Sequence, residues 1–377
     1  MESEQEQSIH VHKHVPALDG VRGFAAASVF IYHYGGGARS SFWPLRVIGT
    51  INHFGWAGVS LFFALSGFLI SGILWDGYDR SNWWRRFYAR RSLRIFPLYY
   101  LAILIAATAW LIMGVSAGAF SALGYYALYL DNFPPLAPIL NHMPNSVPLG
   151  HFWSLAVEEQ FYVIWPFILA PFAGKRKNAM LLIIGLWIGS LAFRIGVMIL
   201  HAQFAWTTEF LLSRGGELLA GACLAMMVRG NDEECRRLFR SLPTVAVGSL
   251  AILIGVGFLS GGATIETPLM ATAGLAACSI FFASIVGLSI RQGAVRTFFM
   301  LPILRWLGKI SYGIYVYHIL LRTSFTWIVD HAAPGVSYNT HLLLVLVVAA
   351  IGTLGVASLS FYKFEYPFLG LKDRLAN

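Results

Sequence analysis

Charge is scarce in this 377-residue chain. Asp, Glu, Lys and Arg make up 12% of it, about half the share of an ordinary soluble domain. Hydrophobic residues make up 57%, so the bilayer is the solvent that the composition implies. Cysteine is nearly missing: Cys223, Cys235 and Cys278 lie far apart with no CxxC pair, which excludes a disulfide framework and a cysteine-based zinc site. No polar stretch is long enough for a soluble domain and no internal repeat is visible. One transmembrane domain over 18–370 is expected, between cytoplasmic tails at 1–17 and 371–377. The acidic start Met1-Glu2-Ser3-Glu4-Gln5-Glu6 argues against a cleaved signal peptide. His10, His12 and His14 read as a solvated tail rather than a metal site.

Aromatics and arginine are what the chain does have. Its 12 Trp and 28 Phe suit interfacial belts and tight helix packing. The net charge is +9, but no basic domain separates from the apolar runs, so nucleic acid is not an expected partner. The surplus is assigned to loops on one membrane face. A span needs about 20 largely apolar residues. Ten such runs are readable, near 18–35, 54–75, 95–114, 151–172, 180–200, 207–228, 243–260, 268–289, 308–328 and 342–362. Phe120 to Leu130 is too short to cross and is expected to lie at the interface or to re-enter. The connections alternate in charge. Arg80, Arg85, Arg86, Arg90, Arg91 and Arg94 follow the second span, and Lys175, Arg176 and Lys177 the fourth. Arg229, Arg236, Arg237 and Arg240 follow the sixth, Arg291 and Arg296 the eighth, and Lys372 and Arg374 close the chain. Of the intervening loops only one holds such residues, Arg39 and Arg46, while 114–150 has none. The expected fold is therefore an all-α integral membrane protein, a bundle of about ten transmembrane helices with both termini cytoplasmic.

Ionisable groups inside such spans are expensive, and each is a functional-site hypothesis. Arg22 and His33 lie eleven residues apart on the first helix, on one face and roughly 16 Å apart in depth. An imidazole there suits a base that takes a proton from an alcohol; it equally suits a histidine that donates to a neighbouring helix carbonyl. In the fourth span His151, Ser154 and Glu158 share a face by helical spacing. Glu158 falls at a depth comparable to His33 and is expected to orient it; the alternative is an ion pair with Arg194 or Arg214 that fixes packing. The Trp83–Pro97 segment combines arginines with rings suited to a phosphate-bearing, partly planar ligand. Composition alone favours anionic lipid heads there. Arg214 and Glu217 are spaced to pair with each other. Ser66 lacks the Gly-x-Ser-x-Gly context of a nucleophile elbow, and Ser66, Gly67 and Ser71 read as close-packing small residues.

Together these segments resemble the membrane-bound acyltransferase family 3, a family of O-acyltransferases. The resemblance rests on Leu18-Asp19-Gly20-Val21-Arg22-Gly23 with His33, on Phe62-Phe63-Ala64-Leu65-Ser66-Gly67-Phe68-Leu69-Ile70 and on Arg90-Arg91-Ser92-Leu93-Arg94-Ile95-Phe96-Pro97. Trp153-Ser154-Leu155-Ala156-Val157-Glu158-Glu159-Gln160-Phe161-Tyr162 and Lys309-Ile310-Ser311-Tyr312-Gly313-Ile314-Tyr315-Val316-Tyr317-His318 complete it. The five run in family order over nearly the whole chain. The resemblance implies transfer of an acyl group, most often acetyl, from acyl-CoA to a hydroxyl of a surface or secreted glycan or a related acceptor. It implies catalytic roles for His33, as base or transient acyl carrier, and Glu158, and acyl-CoA binding by Arg22, Arg90, Arg91 and Arg94. Asp19, His151, Ser154, Glu159, Arg214, Glu217, Tyr312 and His318 are the candidate pocket residues. No metal and no permanently bound cofactor are expected, with acyl-CoA (acetyl-CoA) a co-substrate and the lipid bilayer the surroundings: the plasma (inner) membrane in a bacterium. Some members add an extracytoplasmic hydrolase-like domain; with Asn377 last, this chain is expected to have none and to act alone or with a partner protein. A multi-span exporter of a polysaccharide precursor is the competing reading. It predicts inverted repeats and broken half-helices in matching positions, and neither is visible. A non-catalytic scaffold of a polysaccharide machine is a third.

Overall fold

The computed structural model describes residues 15–36, 42–52, 54–79, 81–115, 117–140, 147–200, 205–262 and 264–374. His10, His12, His14, Arg39 and Arg80 lie outside the described residues. Helix α1 (Pro16–Tyr34) opens on a proline, tolerated in a first turn where its missing N–H has no helical partner to lose. A short α2 (Trp43–Asn52) precedes the apolar α3 (Ala57–Trp75) and the 30-residue α4 (Trp83–Ile112). After α5 (Ala117–Ala127) and the single turn α6 (Ala137–Leu140) comes α7 (Trp153–Leu169). Next are α8 (Arg176–Ile199), α9 (Ala205–Thr208), α10 (Leu211–Met227) and α11 (Asp232–Leu259). A π-helical turn, Met270–Gly274, runs into α12 (Leu275–Ile290). Short α13 (Ala294–Phe299), α14 (Pro302–Lys309), α15 (Ser311–Leu320) and α16 (Arg322–Ala332) lead to α17 (Tyr338–Ser360) and α18 (Tyr366–Arg374). No strand occurs among the described residues.

Seven of these helical stretches, among the described residues, are long and apolar enough to cross a membrane. The other three expected spans are helical but fall short, and they are the ones that carry the polar motifs. In α1 and the 17-residue α7, Asp19, Arg22, His33, Glu158 and Glu159 interrupt the apolar run. The span expected at 308–328 is broken after Leu320. Tyr34 donates its hydroxyl to the His318 carbonyl, the acceptor that the Arg322 amide would use if the helix continued. The third span starts earlier than expected, because the arginine segment is the first half of α4 and no connection separates them. Long arginine side chains let a helix backbone continue through the interface. Residues 120–130 belong mostly to α5, whose 11 residues are too few to cross.

Glycines let the central helices touch backbone to backbone. A Cβ on Gly67 of α3 would collide with the Leu218 carbonyl of α10, and one on Gly221 with the Ala64 carbonyl. This is the small-residue packing by which helices associate where no hydrophobic driving force exists. Helix α1 is antiparallel to α3: Gly58 lies against Ala25 and Val29, while Arg22, Ser66 and Leu69 share one cavity. At one end of the bundle Asp76, just past α3, takes both arms of Arg229, just past α10, at 2.8 and 2.5 Å. At the same end Arg176 pairs with Glu234. Glu234 also closes the capping box with Asn231 that starts α11.

Candidate active site

The site grows from three helices that bring arginine and carboxylate together. Arg91 and Arg94, one turn apart on α4, face Arg22 of α1 across a cavity of about 90 Å³, space for several waters. Ser66, Ser154, Glu158, Glu159, Tyr162, Ser311, Tyr312 and Tyr315 share its lining. Tyr162 donates to Ser66 Oγ at 2.9 Å, and Ser66 donates to Glu158 Oε1 at 2.7 Å. The Arg91 guanidinium lies over the Tyr162 ring, 4.0 Å from its centre. Arg91 and Arg22 are both close enough to act electrostatically on Glu158. Glu159 is buried, and its Oε1 has no hydrogen-bond partner among the described residues. Tyr312 donates to the Ile95 carbonyl at 2.9 Å and so ties α15 to α4.

Arg90 does not line this cavity, although it belongs to the same motif. It sits about 100° around the helix from Arg91; the inward stripe runs through Phe87, Arg91, Arg94, Ile95 and Leu98, of which Phe87, Ile95 and Leu98 are buried. Asp19 is not a lining residue either. It holds Arg22 in an ion pair at 3.0 Å, one turn away on α1. Ser66, expected to be a packing residue, instead bonds the carboxylate. Gly67 does the packing, and Ser71 accepts from the Trp165 indole at 2.8 Å.

His33 sits elsewhere. The expectation that Glu158 orients it is not met: Glu158 stays in the arginine cavity, and no carboxylate is hydrogen-bonded to His33 among the described residues. The turn that leads into α7 lies at the histidine level, since His151 packs on His318, and Glu158 stands about two turns further along, at the Arg22 end of α1. The neighbours of His33 are histidines. Its Nδ1 lies 2.9 Å from the Val29 carbonyl and 3.2 Å from His318 Nε2. His151 packs against His318 at a ring separation of 5.2 Å. It does not share the cavity face with Ser154 and Glu158, as an α-helical reading has it. Gly150–Phe152 is a 3₁₀ turn, tighter than α, and it aims His151 Nε2 at the Val316 carbonyl, 3.3 Å away. Tyr315 joins the two regions: it lines the cavity, hydrogen-bonds Ser154, donates to the His151 carbonyl and has its ring 5.6 Å from His318. A polar path therefore runs from the arginines through Ser154 and Tyr315 to the histidines. Among the described residues no three His, Cys, Asp or Glu side chains are grouped to hold a metal.

Arg214 and Glu217 pair at 3.0 Å, as their spacing predicts, but outside the cavity. Ser60 donates to Glu217 at 2.9 Å and accepts from Arg214 at 3.2 Å. Arg194, also buried, leaves Nε and Nη1 without hydrogen-bond partners among the described residues. Tyr162 and Tyr315, which the sequence reading did not single out, stand four residues after Glu158 and three before His318, so helical spacing alone marks them.

Comparison with known proteins meets this geometry. The acyltransferase 3 family, described as an acyltransferase domain, matches residues 15–362. The chain belongs to this family. The chain is 28% identical, over 94% of its length, to a putative peptidoglycan O-acetyltransferase, YrhL, of Bacillus subtilis. It is 27% identical, over 96% of its length, to the peptidoglycan O-acetyltransferase OatA of Listeria monocytogenes. A putative O-acetyltransferase of Staphylococcus aureus is 26% identical over 94%. The chain spans 55%, 58% and 57% of the length of these relatives. No solved structure matches it.

Proposed function

We propose that this acyltransferase moves an acetyl group from acetyl-coenzyme A to a hydroxyl of a cell-surface glycan, with peptidoglycan the first acceptor to test. The observation that carries the donor is the convergence of Arg22, Arg91 and Arg94 on one cavity that leads by polar groups towards His33. Guanidinium forks match phosphate oxygens, and three from two helices form a grip for a polyphosphate. The arginine end is assigned to the cytoplasm, where acetyl-CoA is made, since the basic connections gather there. Both termini then face the cytoplasm as well. The glycan acceptor is carried over from the names of the relatives.

In this reading the donor's phosphates rest on Arg22, Arg91 and Arg94, and its acyl arm reaches up the polar path. Glu158, held by Ser66, balances the guanidinium charges when the donor is absent and keeps them aimed at the cavity. His33 takes the proton of the acceptor hydroxyl as that oxygen attacks the thioester carbonyl. The C–O bond forms, the C–S bond breaks, and the proton passes from His33 to the coenzyme A thiolate. The test is purified protein in lipid, labelled acetyl-CoA, and a panel of peptidoglycan fragments, exopolysaccharides and lipopolysaccharide sugars. Free coenzyme A and label on one glycan, both acceptor-dependent, are expected. Coenzyme A release that ignores every acceptor, with no labelled glycan, refutes the proposal.

A further inference from the structure

Three imidazoles meet at the far end of α1, and the carbonyls around them decide where their protons sit. A carbonyl only accepts, so a ring nitrogen bonded to one carries the hydrogen. His318 Nδ1 lies 2.6 Å from the Tyr315 carbonyl and 3.1 Å from that of Ile314. Nδ1 is therefore the donor, and Nε2 of the neutral ring holds a lone pair. His33 Nδ1 lies 2.9 Å from the Val29 carbonyl, so it too carries a hydrogen, and His318 Nε2 at 3.2 Å is its second acceptor. His33 Nε2 is left with a bare lone pair. His318 is fully buried, and Tyr34 grips its own carbonyl at the helix break, so the ring is held by backbone on two sides.

We propose that His318 is a positioning residue for His33: it occupies the place that a carboxylate takes behind a catalytic histidine, accepts the Nδ1–H alongside the Val29 carbonyl and supports the charge when Nε2 takes the acceptor's proton. The inference rests on the base reading of His33 above. A histidine with a proton on one nitrogen is a base only through the other, so its second hydrogen bond selects which face works. The Val29 carbonyl shares the Nδ1–H but cannot take the proton, and the remaining described groups around His33 do not bond it. Tyr32 meets its ring edge-on at 5.0 Å, Arg322 acts on it only through charge, and His151 offers no hydrogen bond to it. When His33 Nε2 accepts the hydroxyl proton, the Nδ1 proton shifts towards His318 Nε2, and the charge is shared by two rings. It returns when Nε2 gives its proton to the departing thiolate, so no proton is gained or lost.

Two measurements test this. Solid-state NMR of the protein labelled with ¹⁵N-histidine, in lipid, is expected to show His33 protonated at Nδ1 and bare at Nε2, with His33→Asn used for assignment. An Nε2–H tautomer overturns the proposal without any activity assay. The second measurement is steady-state transfer from acetyl-CoA to the acceptor identified above. Losing a group that orients an active histidine is expected to cost about 10–100-fold in turnover. His318→Leu should show that loss, with the apparent KM for acetyl-CoA little changed. His318→Gln, which keeps an acceptor near the Nε2 position, should recover most of it. Equal turnover in wild type and His318→Leu overturns the proposal, as does a His318→Gln protein that transfers no better than His318→Leu while eluting as folded. Full transfer by His33→Ala is a different failure, because it removes the base reading itself.

Discussion

The charge arrangement around Glu217 makes a stability prediction that is independent of any substrate. Arg214 and Glu217 are 1% and 0% exposed, and Arg194 stands close enough to interact with both. Glu217 is thus the carboxylate in contact with Arg214 and within reach of Arg194. Glu217→Ala removes it and leaves only the more distant Glu209 acting on Arg214, while Ser60 loses its acceptor. Breaking a buried pair by removing one partner costs about 3–5 kcal/mol, and the second cation places this variant at the upper end. Arg214→Met should cost less, since Arg194 remains to partner Glu217. The double variant Arg214→Met, Glu217→Leu removes both charges of the pair and should fall closer to wild type than Glu217→Ala does. Reversible unfolding in mixed detergent, followed by tryptophan fluorescence, gives the free energies. An Arg214→Met protein less stable than Glu217→Ala, or a Glu217→Ala protein as stable as wild type, refutes the reasoning.

Three further outcomes are expected. His33→Ala should lower turnover by about 10²–10⁴, the usual contribution of a general base, with size-exclusion behaviour unchanged. Arg94→Ala should raise the apparent KM for acetyl-CoA about tenfold or more, since a hydrogen bond to a charged group contributes about 1.5–3 kcal/mol; Arg90→Ala, outside the cavity, should raise it less. Gly67→Ala should destabilise the protein by about 1–3 kcal/mol or more, because its Cβ meets the Leu218 backbone and not a side chain that can turn away; a thermal unfolding curve matching wild type contradicts that packing.

The site was partly legible because polar residues in an apolar chain stand out. Arg22, His33, Glu158 and His318 are each conspicuous against the hydrophobic runs around them. Their grouping was not legible. Depth estimated from span edges put Glu158 beside His33, but it is His151 that stands at the histidine level, and Glu158 follows about two turns along, at the arginines. The 3₁₀ turn at Gly150–Phe152 and the helix break at Leu321 were equally hidden, since both depend on partners supplied by other helices.

Composition and periodicity by themselves determined that this is a helical membrane protein, because only a bilayer accepts so little charge and only helices satisfy their own backbone there. The local pair Arg214–Glu217 also followed from spacing, since helix geometry alone brings i and i+3 together. The tertiary structure alone decided that three arginines share one cavity, that Ser66 holds Glu158, and that a histidine rather than a carboxylate backs His33. Those choices turn on rotations and heights of separate helices, set by glycine contacts such as Gly67 on Leu218 that no single helix contains.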